Sequence, residues 1–331
     1  MSDDLLASTL DHLFGDRCSN QVRRAAARGV WSQELWTSLE AAGMTRIGVA
    51  EEYGGAGGTF RDVVTLVRIA GFHAAPLPLL EQALAGWLLA SSGAQIPDGP
   101  LGLGHEVNGR RVVAWGRNTA HVVTIEEDGT ISLLPSSSVT FEQGTNLAGE
   151  PRDIANPDVV RASQRLLTSM ALAGEFRLRE AIGRAAMLAG ACARVVELSI
   201  DYARQREQFG RPIARFQAVG QQLAVMAAES AAASVLIIPA IDAVVDDPHG
   251  GRAELLAISA RVRASRAATT VARIGHQIHG AMGVTAEHEL HHYTLRLLSW
   301  RDEGGTEREW MASLGACVDS MGEAALWAAT S

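Results

Sequence analysis

Between residues 178 and 280 the chain writes three long helical stretches in small and apolar residues, broken once by a glycine and a proline. The first, over 178–206, carries Ile182, Ala185, Ala189, Cys192 and Val196 on one stripe. The second, over 214–245, carries Val219, Leu223, Met226 and Leu236, and the third, over 254–280, carries Leu255, Ile258, Val262 and Thr269. Apolar residues recurring every three or four positions mark one face of a helix. The alanine, glycine and serine between them let neighbouring helices approach closely. Stretches this long are held mainly by packing their apolar faces on one another, which points to a helical bundle. Shorter helices over 286–298 and 306–326 follow.

The break reads Ala203-Arg204-Gln205-Arg206-Glu207-Gln208-Phe209-Gly210-Arg211-Pro212-Ile213-Ala214-Arg215-Phe216-Gln217. It closes one helix, turns at Gly210 and Pro212, and starts the next. A cation followed three residues later by an aromatic ring suits the charged and flat parts of a dinucleotide. The guanidinium of Arg206 presents a planar fork that can grip a pyrophosphate bidentately, and Phe209 offers a face for an adenine ring. An ordinary helix hairpin with an exposed arginine is the plainer alternative.

Upstream, two other textures appear. Residues 1–97 read as helical, with Trp31, Leu35, Trp36 and Leu39 at helical spacing over 31–42 and a further helix over 59–74. Between them lies Val49-Ala50-Glu51-Glu52-Tyr53-Gly54-Gly55-Ala56-Gly57-Gly58, dense in glycine but without the strand and helix context of a phosphate cradle. Residues 98–168 change period. Short segments over 111–115, 121–126 and 130–134 are rich in valine, isoleucine and threonine, and Asp128-Gly129 is a hairpin signal. They predict a small antiparallel β region. The domains are therefore expected at 1–97, 98–168 and 169–331.

The 331 residues are 47% hydrophobic and 20% charged, enough for a large core. A net charge of -8 argues against nucleic acid as the main partner, because phosphate neutralisation needs a concentrated basic surface. The basic side chains include no lysine. Cys18, Cys192 and Cys317 are scattered, which favours free thiols in a reducing compartment. The acidic start at Asp3 and Asp4 does not resemble a secretory signal. The longest apolar run, 231–245, holds Pro239 and Asp242 and reads as core rather than as a membrane span. A cytoplasmic protein with no membrane partner is expected.

The break strongly resembles the Arg-x-x-Phe-Gly-x-x-Ile-x-x-x-Gln motif of the acyl-CoA dehydrogenase family, filled here by Arg206, Phe209, Gly210, Ile213 and Gln217. A second element, Gln277-Ile278-His279-Gly280-Ala281-Met282-Gly283, resembles the family's Gln-x-x-Gly-Gly-x-Gly, with Ala281 in place of the second glycine. The glycine loop resembles the family's Pro-Glu-x-Tyr-Gly-Gly-x-Gly turn, with Ala50 in place of the proline. The resemblance implies an α+β, mainly α fold: an N-terminal helical domain, a reduced middle β-domain and a C-terminal four-helix bundle. It implies FAD as cofactor, held across a subunit interface, with Arg206, Phe209, Gln217, Gln277, Gly280 and Ala281 on its adenosine side. The family's Thr-Glu-Pro-x-x-Gly-Ser-Asp element and Gly-x-Lys-x-x-Ile hairpin, which line the flavin ring and the thioester, are not found.

The family's reaction needs a carboxylate to take the α-proton while a hydride leaves the β-carbon. Counted from Gln277, the usual base position is Gly304, which cannot act. Glu303 stands one residue away. A minority branch places the base where Glu180 stands, although acidic residues near a helix start are also favoured by its dipole. The resemblance therefore implies an FAD-dependent acyl-CoA dehydrogenase acting as the short subunit of a heteromer. A full-length acyl-CoA dehydrogenase-like partner in an α2β2 assembly would complete it, and the substrate would be a bulky, steroid side-chain type acyl-CoA. The alternatives are a self-sufficient homo-oligomer using Glu180 and a non-enzymatic assembly subunit without flavin. His288-Glu289-Leu290-His291-His292 formally matches the HExxH zinc motif, with His288 and His292 expected on one helix face. No third ligand is identifiable, and no metal is expected. Tyr202 and the tryptophans read as core or interface.

Overall fold

The computed structural model describes residues 3–107, 109–126, 128–156, 164–285 and 287–330. The fold is α+β and mainly α, and it divides into two compact units, Met1–Val67 with Pro76–Glu180 and Arg68–Ala75 with Ala181–Ser331.

The first unit opens with α1 (Asp3–Arg17), α2 (Asn20–Ala26) and α3 (Gln33–Ala41). It continues with most of α4 (Phe60–Phe72) and with α5 (Leu79–Ser91). Ser19 caps α2 by accepting the Val22 amide. Thr59 and Asp62 cap α4 reciprocally, the Thr59 amide donating to the Asp62 carboxylate at 2.7 Å. The glycine loop closes on itself through the Val49–Gly57 bridge, and a Cβ at Gly55 would lie 2.0 Å from the Val49 carbonyl oxygen. It is a packed turn. Helix α5 is apolar on nearly every side and buried to match. Its Gln82 side chain donates to the Thr45 carbonyl and accepts from the Leu101 amide, so a buried amide fastens α5 to the first strand.

The sheet has seven strands: β1 (Leu101–Val107), β2 (Arg110–Ala114), β3 (His121–Ile125), β4 (Thr130–Pro135), β5 (Phe141–Glu142), β6 (Arg152–Ala155) and β7 (Gln164–Thr168). Their order is β5-β6-β2-β1-β3-β4-β7. Two expectations are corrected here. The sequence showed three strands in this region where the sheet has seven among the described residues, and β1 pairs with β3 in parallel, Leu101 opposite His121, so the sheet is mixed rather than antiparallel. Strand β1 escapes notice because Gly102 and Gly104 lower its apparent β-propensity. A Cβ at Gly104 would meet Arg111 and Thr124 at 3.1 Å, so the flanking strands need the gap. Asp128-Gly129 does turn β3 into antiparallel β4. Val113, Val122 and Ala155 form one apolar cluster, and Trp115, Ala26 and Ala114 form another against Trp31.

Helix α6 (Met170–Gln205) begins in the first unit and runs on as the first long helix of the second. A two-stranded hairpin follows, β8 (Glu207–Gln208) and β9 (Arg211–Pro212), then α7 (Gln217–Val235), α8 (Ile237–Asp246), α9 (Gly251–His279), α10 (Leu290–Trp300), α11 (Glu307–Met321) and α12 (Glu323–Thr330). Helix α9 is the centre of the bundle and touches α7, α8, α10 and α11. The expected helix over 214–245 is two helices, divided at Leu236. Pro239, in the first turn of α8, has no amide for a hydrogen bond back into α7. Together α7 and α8 are long and apolar enough to cross a membrane by length and composition; their most apolar 18-residue stretch has a mean hydropathy of 1.9, and 33% of that stretch is buried here.

Candidate functional site

The motif at the end of α6 folds as a tight β-hairpin. Gln208 pairs with Arg211, and the two linking residues, Phe209 and Gly210, have φ of 50° and 75°. Positive φ at both central positions is the type I′ pattern, whose twist matches a hairpin. The Arg206 amide donates to the Tyr202 carbonyl at 2.8 Å, ending the helix, and the Ile213 amide donates to the Arg206 carbonyl at 2.8 Å, closing the hairpin. Arg206 is exposed, and Phe209 is 93% exposed. Behind it Phe216 stands edge-on at 6.1 Å, with the Arg211 guanidinium 4.3 Å over its ring. Gln217, exposed as well, is the first residue of α7.

The second motif ends α9. Gln277 is exposed in its last turn, and Gly280 breaks the helix at φ 58° and opens a short 3-10 turn that includes Ala281. A Cβ at Gly210 or at Gly280 would meet no atom within 4 Å, so both backbones face open space. The Tyr202 ring, one turn before Arg206, stacks on His279 at 4.5 Å. That contact brings the two motifs to one end of the second unit. It was missed from sequence because nothing local couples residues so far apart.

The residues weighed as base lie in different settings. Gly304 sits in a turn at φ 69°. Glu303 is 3.2 Å from the buried guanidinium of Arg184. Arg261, 1% exposed, donates to the carbonyls of Arg301, Glu303 and Gly305 at 2.7, 2.9 and 3.2 Å, fixing that turn from below. Glu180 belongs to the first unit and is 6% exposed, its Oε1 3.6 Å from His105 Nε2 on β1. A pocket in the same unit, lined by Phe60, Trp87 and Arg179 among others, has a volume of about 10 Å³, the size of one water.

The zinc-like segment corrects another expectation. Helix α10 starts only at Leu290, so His288 and Glu289 precede it and do not share its face with His292. Glu289 lies 3.4 Å from Arg194, and His288 Nδ1 accepts the Leu290 amide. Among the described residues no three His, Cys, Asp or Glu side chains form a group that could hold a metal ion.

The second unit is thus a helical bundle that carries, at one end, a hairpin with an outward arginine and aromatic beside a glycine-ended glutamine turn. Family descriptions match both ends: the acyl-CoA dehydrogenase N-terminal domain over residues 2–95 and the acyl-CoA dehydrogenase C-terminal domain over 170–316. The chain belongs to the acyl-CoA dehydrogenase family, whose cofactor is FAD. It is 32% identical over 300 residues to acyl-CoA dehydrogenase IpdE2 of Mycobacterium tuberculosis, spanning 88% of this chain and 89% of that one. Acyl-CoA dehydrogenase FadE27 of the same organism is 28% identical over 309 residues, 80% and 82% of the two chains. Among solved structures, a Tcur3481-Tcur3483 steroid ACAD superposes with a TM-score of 0.85 at 21% identity, covering 96% of this chain and 98% of that one. The ChsE4-ChsE5 complex from Mycobacterium tuberculosis gives 0.80 at 20%, covering 97% and 98%. At those identities the structures establish a shared fold. The exposed cation, the exposed ring and the two open glycine backbones fit the phosphate and purine end of FAD.

Proposed function

We propose that this chain is the short subunit of a heteromeric acyl-CoA dehydrogenase and contributes the adenosine and pyrophosphate contacts of FAD. One contrast carries the reading. Arg206, Phe209, Gln217, Gln277, Gly280 and Ala281 are all exposed, while the usual base position is Gly304 and the nearby Glu303 is tied to Arg184. With one half of the site turned outward and glycine at the usual base position, a second polypeptide is the reading these residues favour. The apolar α7–α8 span, largely unburied and beginning at Gln217, supports an acyl-CoA dehydrogenase-like partner in an α2β2 assembly. FAD, when bound, accepts the hydride from the acyl β-carbon. This chain's residues would hold the cofactor's distal end: Arg206 would neutralise phosphate charge, Phe209 would offer its face to the adenine, and Gln217 and Gln277 would supply amide hydrogen bonds. The partner provides the base and the thioester pocket. A bulky, steroid-type acyl-CoA is the proposed substrate, by likeness to the Tcur3481-Tcur3483 steroid ACAD. Three free, buried cysteines support a cytoplasmic setting.

The test is the visible spectrum of the assembly isolated through this chain. Arg206→Ala removes a charge-assisted contact worth about 2 kcal/mol, so flavin affinity should fall roughly thirtyfold. Undiminished flavin content would overturn the site assignment. A yellow, active preparation of this chain alone would instead support the homo-oligomer using Glu180. Absence of flavin from every combination would support a non-enzymatic assembly subunit.

A further inference from the structure

Tyr202 and His279 do more than fill space between helices. Their rings stack at 4.5 Å with 25° between planes, and His288 closes the cluster edge-on, 4.7 Å from His279 and 6.1 Å from Tyr202. Tyr202 stands one turn before Arg206, with its carbonyl taking the Arg206 amide. His279 stands two residues after Gln277 and directly before Gly280. The stack thus joins the two segments that carry the cofactor contacts, each at the end of its own helix. His279 is 2% exposed, and its Nδ1–H donates to the Gly275 carbonyl at 2.8 Å, so the ring cannot swing aside without breaking a buried hydrogen bond.

Resting on the flavin-site reading above, we propose that Tyr202, His279 and His288 are positioning residues that hold the Arg206 and Gln277 segments in the register a dinucleotide needs, and that protonating the stack releases it. A dinucleotide spanning two helix ends needs both at a fixed separation, and a small misplacement forfeits binding. The groups acting on His279 are His276 on its own helix, the Tyr202 ring and the Leu198 carbonyl on α6, and His288 ahead of α10. Two carboxylates flank His288 in the chain: Glu289, which is engaged by Arg194, and Glu287, which is exposed. Burial, reinforced by His288 and His276, holds the His279 imidazole below its ordinary value, outweighing the carbonyls of Gly275 and Leu198. Burial also lowers His276, with His291 adding to it. A histidine with a depressed folded value is charged first in the opened state. The closed stack is therefore favoured above the ordinary value of 6.5 and is lost as the pH falls below it.

Flavin retention by the assembly isolated through this chain, followed from pH 7.5 downward, tests the proposal. Tyr202→Phe keeps the ring and should retain flavin like the parent. Tyr202→Leu should bind it up to about tenfold more weakly. His279→Phe keeps a ring that cannot be charged, so flavin release should move to lower pH than in the parent. Thermal melting of each variant separates loss of fold from loss of register. If Tyr202→Leu keeps its flavin while Arg206→Ala sheds it, or if His279→Phe releases flavin at the parent's pH, the positioning role is wrong and the site reading stands. If Arg206→Ala sheds nothing, or the parent assembly contains no flavin, the site reading falls and the stack's role falls with it.

Discussion

Phe209 is a bulky residue at φ 50°, where side chains of its kind are rare, and it is almost wholly exposed. Neither property helps the fold. An asparagine there would suit a type I′ turn better and expose less apolar surface. Strain and exposure kept together at one position are what the proposed flavin contact would leave there. Phe209→Asn is therefore expected to leave stability unchanged or raise it by up to about 1 kcal/mol, while lowering flavin retention. Thermal melting and the visible spectrum of one preparation read both. Loss of stability together with full flavin content would show the ring serving the hairpin alone. Arg206, Phe209, Gln217 and Gln277 could be singled out from sequence because motif spacing names residues directly. The roles of Arg261 and Arg184 could not. An arginine on an apolar helix reads as a solvated charge until the carbonyls and carboxylate it meets, forty to a hundred and twenty residues away, are known.

Glycines set how closely α4 and α6 cross within the second unit. A Cβ at Gly190 would stand 1.9 Å from the Arg68 carbonyl oxygen, and one at Gly71 would stand 2.2 Å from the Met187 carbonyl oxygen. Helix propensity alone says that Gly190→Ala should stabilise α6 by about 1 kcal/mol. The contact says the opposite, because the obstacle is backbone and cannot rotate away. The expected result is a loss of about 1–3 kcal/mol, read as a lower urea midpoint with unchanged slope. A raised midpoint would show that the helices are free to separate. The long helices were legible because an apolar stripe repeats every turn over many turns; the first starts earlier than expected, at Met170, and the second divides at Leu236. The strands were less legible. Strand β1 is interrupted by glycines, β5 has two residues, and β7 is an edge strand exposed along most of its length. Pairing partners hold them, and partners are not written in a local pattern.

The division of labour proposed for the assembly has its own test. If the base belongs to the partner, Glu180→Gln in the complete heteromer should leave the turnover rate within about twofold, since Glu180 faces His105 on β1. A fall of roughly a hundredfold or more would show that this chain carries its own base. The sequence by itself determined the mainly helical class and the family, because each follows from periodicity or from short motifs that local chemistry makes recognisable, and the same motifs nominated the residues proposed to face the cofactor. Tertiary structure alone decided that Glu303 turns to Arg184, that β1 and β3 run parallel, and that Tyr202 meets His279. Those outcomes depend on contacts between residues distant in the chain, and such contacts exist only after the helices and strands have packed.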